Sequence, residues 1–150
     1  MHSVAVGLLA DLRRARDFID RNYCEPLDLD GLAGVAGVSK YHFARNFEAA
    51  YGETPIRYLT RRRIERAQDL LRVANLTVTE VCMAVGFASL GSFSSRFHEL
   101  VGESPSAYRD RWAARGAAHV PGCWLFMRGV LDLGGTAGPA DRAISEKPPG

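Results

Sequence analysis

The stretch GFASLGSFSSRFHELVGESPSAY, residues 86–108, repeats the plan of GVSKYHFARNFEAAYGETPIRY, residues 37–58. Phe43, Phe47, Gly52, Pro55 and Tyr58 return in the same order as Phe93, Phe97, Gly102, Pro105 and Tyr108. The match extends upstream. Leu27, Asp28, Ala36 and Gly37 correspond to Leu76, Thr77, Val85 and Gly86, and the second copy carries one extra residue after its glycine. Two copies of so small a unit point to one operation carried out twice, side by side. A solenoid needs at least about three repeats to bury a continuous core. Two copies joined by one long segment predict a two-lobed domain instead.

Each copy reads as a short helix, a glycine turn and a second helix, the helix-turn-helix plan. Val4, Leu8, Leu12, Ala15 and Ile19 fall near a helical period and predict a first helix over 4–22. Asp28 is placed to cap a helix over 29–36, and Ser39 one over 40–51, because a short side-chain oxygen accepts from the unpaired N–H groups of a first turn. Thr54-Pro55 and Ser104-Pro105 each set a cap before a proline, whose missing N–H is harmless at the first helical position. They predict helices over 55–73 and 105–114. Thr77 and Glu80 have capping-box spacing for a helix over 78–85, and a helix over 90–101 follows. Gly37 and Gly86 are the structural turns; Pro55 and Pro105 are the structural starts. The expected fold is all-α, with about seven helices. Residues 1–114 form a double helix-turn-helix domain: lobe one over about 5–54, a linker helix over about 55–74, lobe two over about 75–114. Residues 115–150 form a tail.

Phe43 and Phe47, with Ala50, share one helical face and are core; Phe93, Phe97 and Leu100 are their counterparts. The opposite face of the first copy carries Tyr41, Arg45 and Glu48, with His42 at its edge. These residues read either as a solvated polar face or, as expected here, as a base-reading set. Arginine offers two donors to guanine, and Tyr and His offer hydrogen bonds or contact with a thymine methyl. The second helix of a helix-turn-helix is where such residues belong. The second copy presents Ser92 and Ser95, which approach DNA closely but carry little bidentate information. The first copy is therefore expected to discriminate, and the second to position and to read shape.

The 19 residues from Pro55 to Val73 make a rod of roughly 28 Å. Major-groove segments on one face of B-DNA recur every ~34 Å, so such a rod could hold two recognition helices in adjacent grooves. Its RRRIER run cannot point one way. Some of Arg61, Arg62, Arg63 and Arg66 should meet phosphates, and others should pair with Glu65 or Asp69. The expected phosphate contacts are Ser39, Lys40, Arg61, Arg62, Ser89 and Arg96, each adding salt-dependent affinity, with a surface salt bridge as the alternative role for Arg96.

Composition narrows the field. The chain is 47% hydrophobic and 24% charged with a net charge of +2, the profile of a soluble globular protein. Basic residues concentrate between Lys40 and Arg66, the mark of a charged face. Cys24, Cys82 and Cys123 form no CxxC, which argues against zinc and against a disulfide framework. No cofactor or metal is expected. No run approaches the ~18 apolar residues of a membrane span, and the start lacks a cleavage-like flank, so the expected location is the cytoplasm, with the nucleoid. His2, His42, His98 and His119 are scattered, without a triad or carboxylate pair, and no enzyme is expected.

At this point the sequence resembles the AraC/XylS family of bacterial transcription regulators. AVGFASLGSFSSRFHELVGESPSAYR carries the family signature, GVSKYHFARNFEAAYGETPIRYL is equally typical, and the resemblance runs from about residue 15 to residue 112. It implies that each lobe's second helix enters a major groove of double-stranded DNA. The family's base-reading positions fall on Tyr41, His42 and Arg45, and on Leu90, Gly91, Ser92 and Ser95. Two departures concern lobe two: Ser95 replaces a frequent arginine, and Leu90-Gly91 a frequent polar pair. Only about 15 residues precede the match, which predicts a stand-alone type acting as a monomer on DNA, with RNA polymerase as partner and activation favoured over repression.

The tail changes character. HVPGCWLFMRGVLDL is apolar and aromatic; GGTAGPADRAISEKPPG reads as disordered. The Trp124–Met127 run reads either as a short strand or turn on the helical core or as an anchor for an unknown partner of residues 120–131. The alternative function is therefore a helical adaptor whose aromatic tail binds a protein or small ligand, with DNA binding secondary.

Overall fold

The computed structural model describes residues 6–115 and 120–121. Seven helices follow in order: α1 Val6–Asn22, α2 Leu29–Ala36, α3 Lys40–Tyr51, α4 Pro55–Val73, α5 Val78–Ala84, α6 Leu90–Val101 and α7 Pro105–Ala114. The all-α expectation holds. Two short segments, β1 (Ala74–Asn75) and β2 (Val120–Pro121), pair in parallel, with Ala74 opposite Val120. The Trp124–Met127 run and the Gly- and Pro-rich end fall outside the described residues.

Local chemistry sets the helix boundaries. Asp28 accepts from the Gly31 N–H, Ser39 from His42, Thr54 from Arg57, Thr77 from Glu80, Ser89 from Ser92 and Ser104 from Ala107. Each cap satisfies a first-turn donor that has no partner within its own helix. The two turns inside the lobes are made alike. Gly37 sits at φ 73° and Gly86 at φ 93°, a left-handed conformation that side chains with a Cβ rarely adopt. Behind each glycine the next N–H reaches back to the helix before it: Val38 to the Ala33 carbonyl at 3.2 Å, Phe87 to the Cys82 carbonyl at 3.1 Å.

The buried residues form two clusters. One gathers Leu12, Ala15 and Ile19 of α1, Leu32 and Ala36 of α2, Phe43 and Phe47 of α3, and Tyr58 and Leu59 of α4. The other gathers Ile64, Ala67, Leu70 and Leu71 of α4 with Val81, Val85, Phe93, Phe97 and Tyr108. Helix α4 thus serves both cores, its first turns facing one and its remainder the other. The repeat survives in the packing. Phe47 meets Tyr58 edge-on at 5.8 Å, and Phe97 meets Tyr108 at 5.4 Å. Edge-to-face pairs of this kind add ~0.5–1.5 kcal/mol beyond the area they bury.

One core assignment is corrected. Leu100 is 45% exposed. The inward row of α6 advances by four residues, from Phe93 to Phe97 to Val101, and the half-buried Val101 packs on the cluster instead.

Candidate nucleic-acid interface

Helix α3 buries Phe43 and Phe47, which turns its other side outward. Tyr41 is 80% exposed, and His42, Arg45, Glu48 and Ala49 are exposed beside it. Among the described residues no hydrogen bond, ion pair or ring contact engages the Arg45 guanidinium. Lys40 stands at the start of the same helix, with Asp30 a loose 3.8 Å away. Ser39 spends its hydroxyl oxygen on the His42 N–H at 3.4 Å. The expected reading set of Tyr41, His42 and Arg45 therefore lies on one continuous, open surface.

Helix α6 turns Leu90, Gly91, Ser92, Ser95, Arg96 and His98 outward. Arg96 is paired with Glu99 at 2.7 Å, an exposed contact one turn apart. Such pairs are worth ~0.2–1 kcal/mol, so Arg96 exchanges partners easily. Ser89 caps the helix through the Ser92 N–H at 3.2 Å. The end of α6 and the start of α4 border a groove lined by Ile56, Arg57, Thr60, Arg96, Glu99 and Leu100. The sequence pattern gave no sign of this groove, because its two sides are distant in the chain.

The arginines of α4 divide sharply. Arg61 holds Glu53 through Nε at 3.0 Å and a terminal nitrogen at 2.7 Å, and reaches Glu65 at 2.6 Å. Its guanidinium lies over the Tyr58 ring. The second copy repeats this arrangement: Arg111 holds Glu103 with the same two groups, at 3.0 and 2.5 Å, and lies over Tyr108. Hydrogen bonding, to Glu53 above all, pushes the Arg61 pKa up and binds its proton more firmly. Arg62 bonds Asp20 at 3.0 Å and Glu65 at 2.7 Å. Asp20 also accepts from the Tyr58 hydroxyl at 2.8 Å. Burial first, and this bond second, raise Tyr58 to a pKa of about 12. Arg61 and Arg62, expected at phosphates, thus have carboxylate partners within the protein.

Arg63 differs from both and was not singled out by its sequence run. It meets no carboxylate among the described residues. Its Nε donates to the Tyr23 carbonyl at 2.6 Å and a terminal nitrogen to the Glu25 carbonyl at 2.8 Å, while its guanidinium lies 5.8 Å from the Phe87 ring centre. Burial lowers its pKa. The available signal was its position: Leu59, Arg63, Ala67 and Leu71 form one row spaced by four, otherwise apolar and buried.

Among the described residues no group of three or more His, Cys, Asp or Glu side chains is arranged to hold a metal. No described helix is long and apolar enough to cross a membrane. Cys24 is half-buried and Cys82 buried; Cys123 lies outside the described residues.

A helix-turn-helix domain family matches residues 32–111, more than half of the chain and parts of both lobes. The chain belongs to the AraC/XylS family of regulators. Among its relatives, the MmsAB operon regulatory protein of Pseudomonas aeruginosa is 40% identical over 85 residues, covering 57% of this chain and 28% of the relative. The HTH-type transcriptional activator AarP of Providencia stuartii is 37% identical over 92 residues, 61% of this chain and 68% of the relative. The chain therefore spans well under half the length of the first of these. A crystal structure of the DNA-binding domain of AdpA, in complex with a target DNA, aligns with TM-score 0.68 and 31% identity over 70% of this chain and 95% of that one.

Proposed function

We propose that this AraC-family chain is a sequence-specific DNA-binding transcription regulator that sets α3 and α6 into adjacent major-groove segments. The observation that carries the reading is the open face of α3, where Arg45, beside the exposed Tyr41 and His42, has no partner among the described residues. A guanidinium left unpaired on the second helix of a helix-turn-helix is poised for the paired acceptors of guanine. Ser92 and Ser95 of α6 approach base edges in the second groove and read mainly shape. Ser39, Lys40, Ser89 and Arg96 contact phosphates near the starts of the two helices and along α6. Arg61 and Arg62 reach a phosphate only by giving up Glu53, Glu65 or Asp20, so their main part is to hold the lobes.

The mechanism is binding alone, with no bond made or broken in the DNA. Two grips on one chain remove the usual need for a dimer. The likeness to a relative described as an activator supports activation, through a surface offered to RNA polymerase. The test is selection of binding sites from random DNA, then gel shift and footprinting with Arg45→Ala alongside wild type. Loss of the bidentate contact costs ~1–3 kcal/mol and relaxes preference at one base pair. Equal, weak binding to all sequences, unchanged in Arg45→Ala, refutes the reading.

A further inference from the structure

Arg63 sits where the lobes meet. The carbonyls of Tyr23 and Glu25 belong to the loop that follows α1, in lobe one. Phe87 belongs to the turn between α5 and α6, in lobe two. Beside this bridge the two backbones touch directly. A Cβ added at Gly86 would stand 2.9 Å from the Cys24 Cα, the Cys24 oxygen and the Tyr23 oxygen. The end of a helix gathers unpaired carbonyls and partial negative charge, which suits a guanidinium. A half-buried arginine satisfied by fixed carbonyls, not by a movable carboxylate, adds geometry more than affinity.

We propose that Arg63 is a positioning residue: by tying the loop after α1 to the turn before α6, it fixes the relative orientation of the two recognition helices and hence the spacing of the two half-sites the protein accepts. The spacing claim rests on the DNA-binding reading; the orientation claim does not. Lysine cannot replace the arginine, since a single ammonium lacks the planar fork that reaches two carbonyls while lying over a ring.

The test uses the full chain and the variants Arg63→Lys and Arg63→Gln, both checked for folding by circular dichroism. Nitroxide amino acids placed at the exposed Asp17 and Ser106 report the distance between lobes by pulsed electron resonance, leaving the cysteines untouched. Wild type gives one narrow distribution, and each folded variant a broader and shifted one. A second arm uses the half-sites selected by wild type, separated by spacers that differ by single base pairs. The variants lose about tenfold in discrimination between spacers, the equivalent of one charge-assisted hydrogen bond. Affinity for a lone lobe-one half-site stays unchanged. Wild-type distance widths in either folded variant overturn the proposal. If the wild-type chain selects no DNA sequence, the DNA-binding reading falls, and the distance arm alone decides whether Arg63 orients the lobes.

Discussion

Replacing Gly86 by alanine is a severe change for a single methyl group, and Gly37 supplies its internal control. Both glycines have positive φ, 93° and 73°, and both end a helix in the same kind of turn. An L-residue in that conformation costs ~1–2 kcal/mol wherever it is placed. At Gly37 nothing lies within 4 Å of the added Cβ, so the cost stops there. At Gly86 the Cβ meets three backbone atoms of Tyr23 and Cys24, each at 2.9 Å. Those atoms belong to another lobe and cannot rotate away as a side-chain tip would. Forced overpacking of this kind adds ~1–3 kcal/mol. Gly37→Ala should therefore cost ~1–2 kcal/mol and Gly86→Ala ~2–5 kcal/mol. Urea unfolding followed by circular dichroism measures both, with equal slopes required for comparison. In an Arg63→Gln background the loop is less firmly held, and the penalty at Gly86 should shrink while that at Gly37 does not. Equal costs for the two alanines, within ~0.5 kcal/mol, would refute the argument that the lobes meet at Gly86.

Two further outcomes follow from the cores. Phe47→Ala removes a fully buried ring that contacts Phe43, Tyr51 and Tyr58, and should destabilise by ~3–5 kcal/mol in the same unfolding assay. Tyr58→Phe should cost ~1.5 kcal/mol near neutral pH, since the lost bond was made to a carboxylate. The Tyr58 pKa is raised from 10.0 to about 12, so the stability it confers is complete below pH 10 and fades as pH climbs toward 12. Unfolding of wild type and Tyr58→Phe across that range checks the sign: the gap between them closes at high pH.

The helices were legible in the sequence because their ends are local events. A Ser, Thr or Asp caps a donor three residues ahead, and a glycine turns the chain where it stands, whatever the rest of the fold does. Leu100 was misjudged because two spacings, three and four, both keep to one helix face, and packing against the other helices decided for Val101. The roles of Arg61, Arg62 and Arg63 were not legible one by one. Arg62 and Arg63 depend on residues 42 and 40 positions away, brought close only by the packed lobes, and Arg61 on a residue eight positions back across the start of α4. Arg61 had one overlooked clue: Glu53 and Tyr58 recur as Glu103 and Tyr108 in register with Arg111. The open face of α3 was legible, since two phenylalanines on one side of a helix leave the other side to solvent.

The double service of α4 makes its length a phase as well as a distance. Leu59 belongs to one core and Ile64 to the other. One residue inserted between them would turn lobe two by about 100° about the helix axis and move it ~1.5 Å. Four inserted residues would leave only about 40° of turn while adding ~6 Å of separation. The turn after Gly86, by contrast, already holds one residue more than its counterpart after Gly37, and both lobes close around their phenylalanines all the same. Added or lost residues can accumulate in the turns of such a protein, whereas α4 has to keep count.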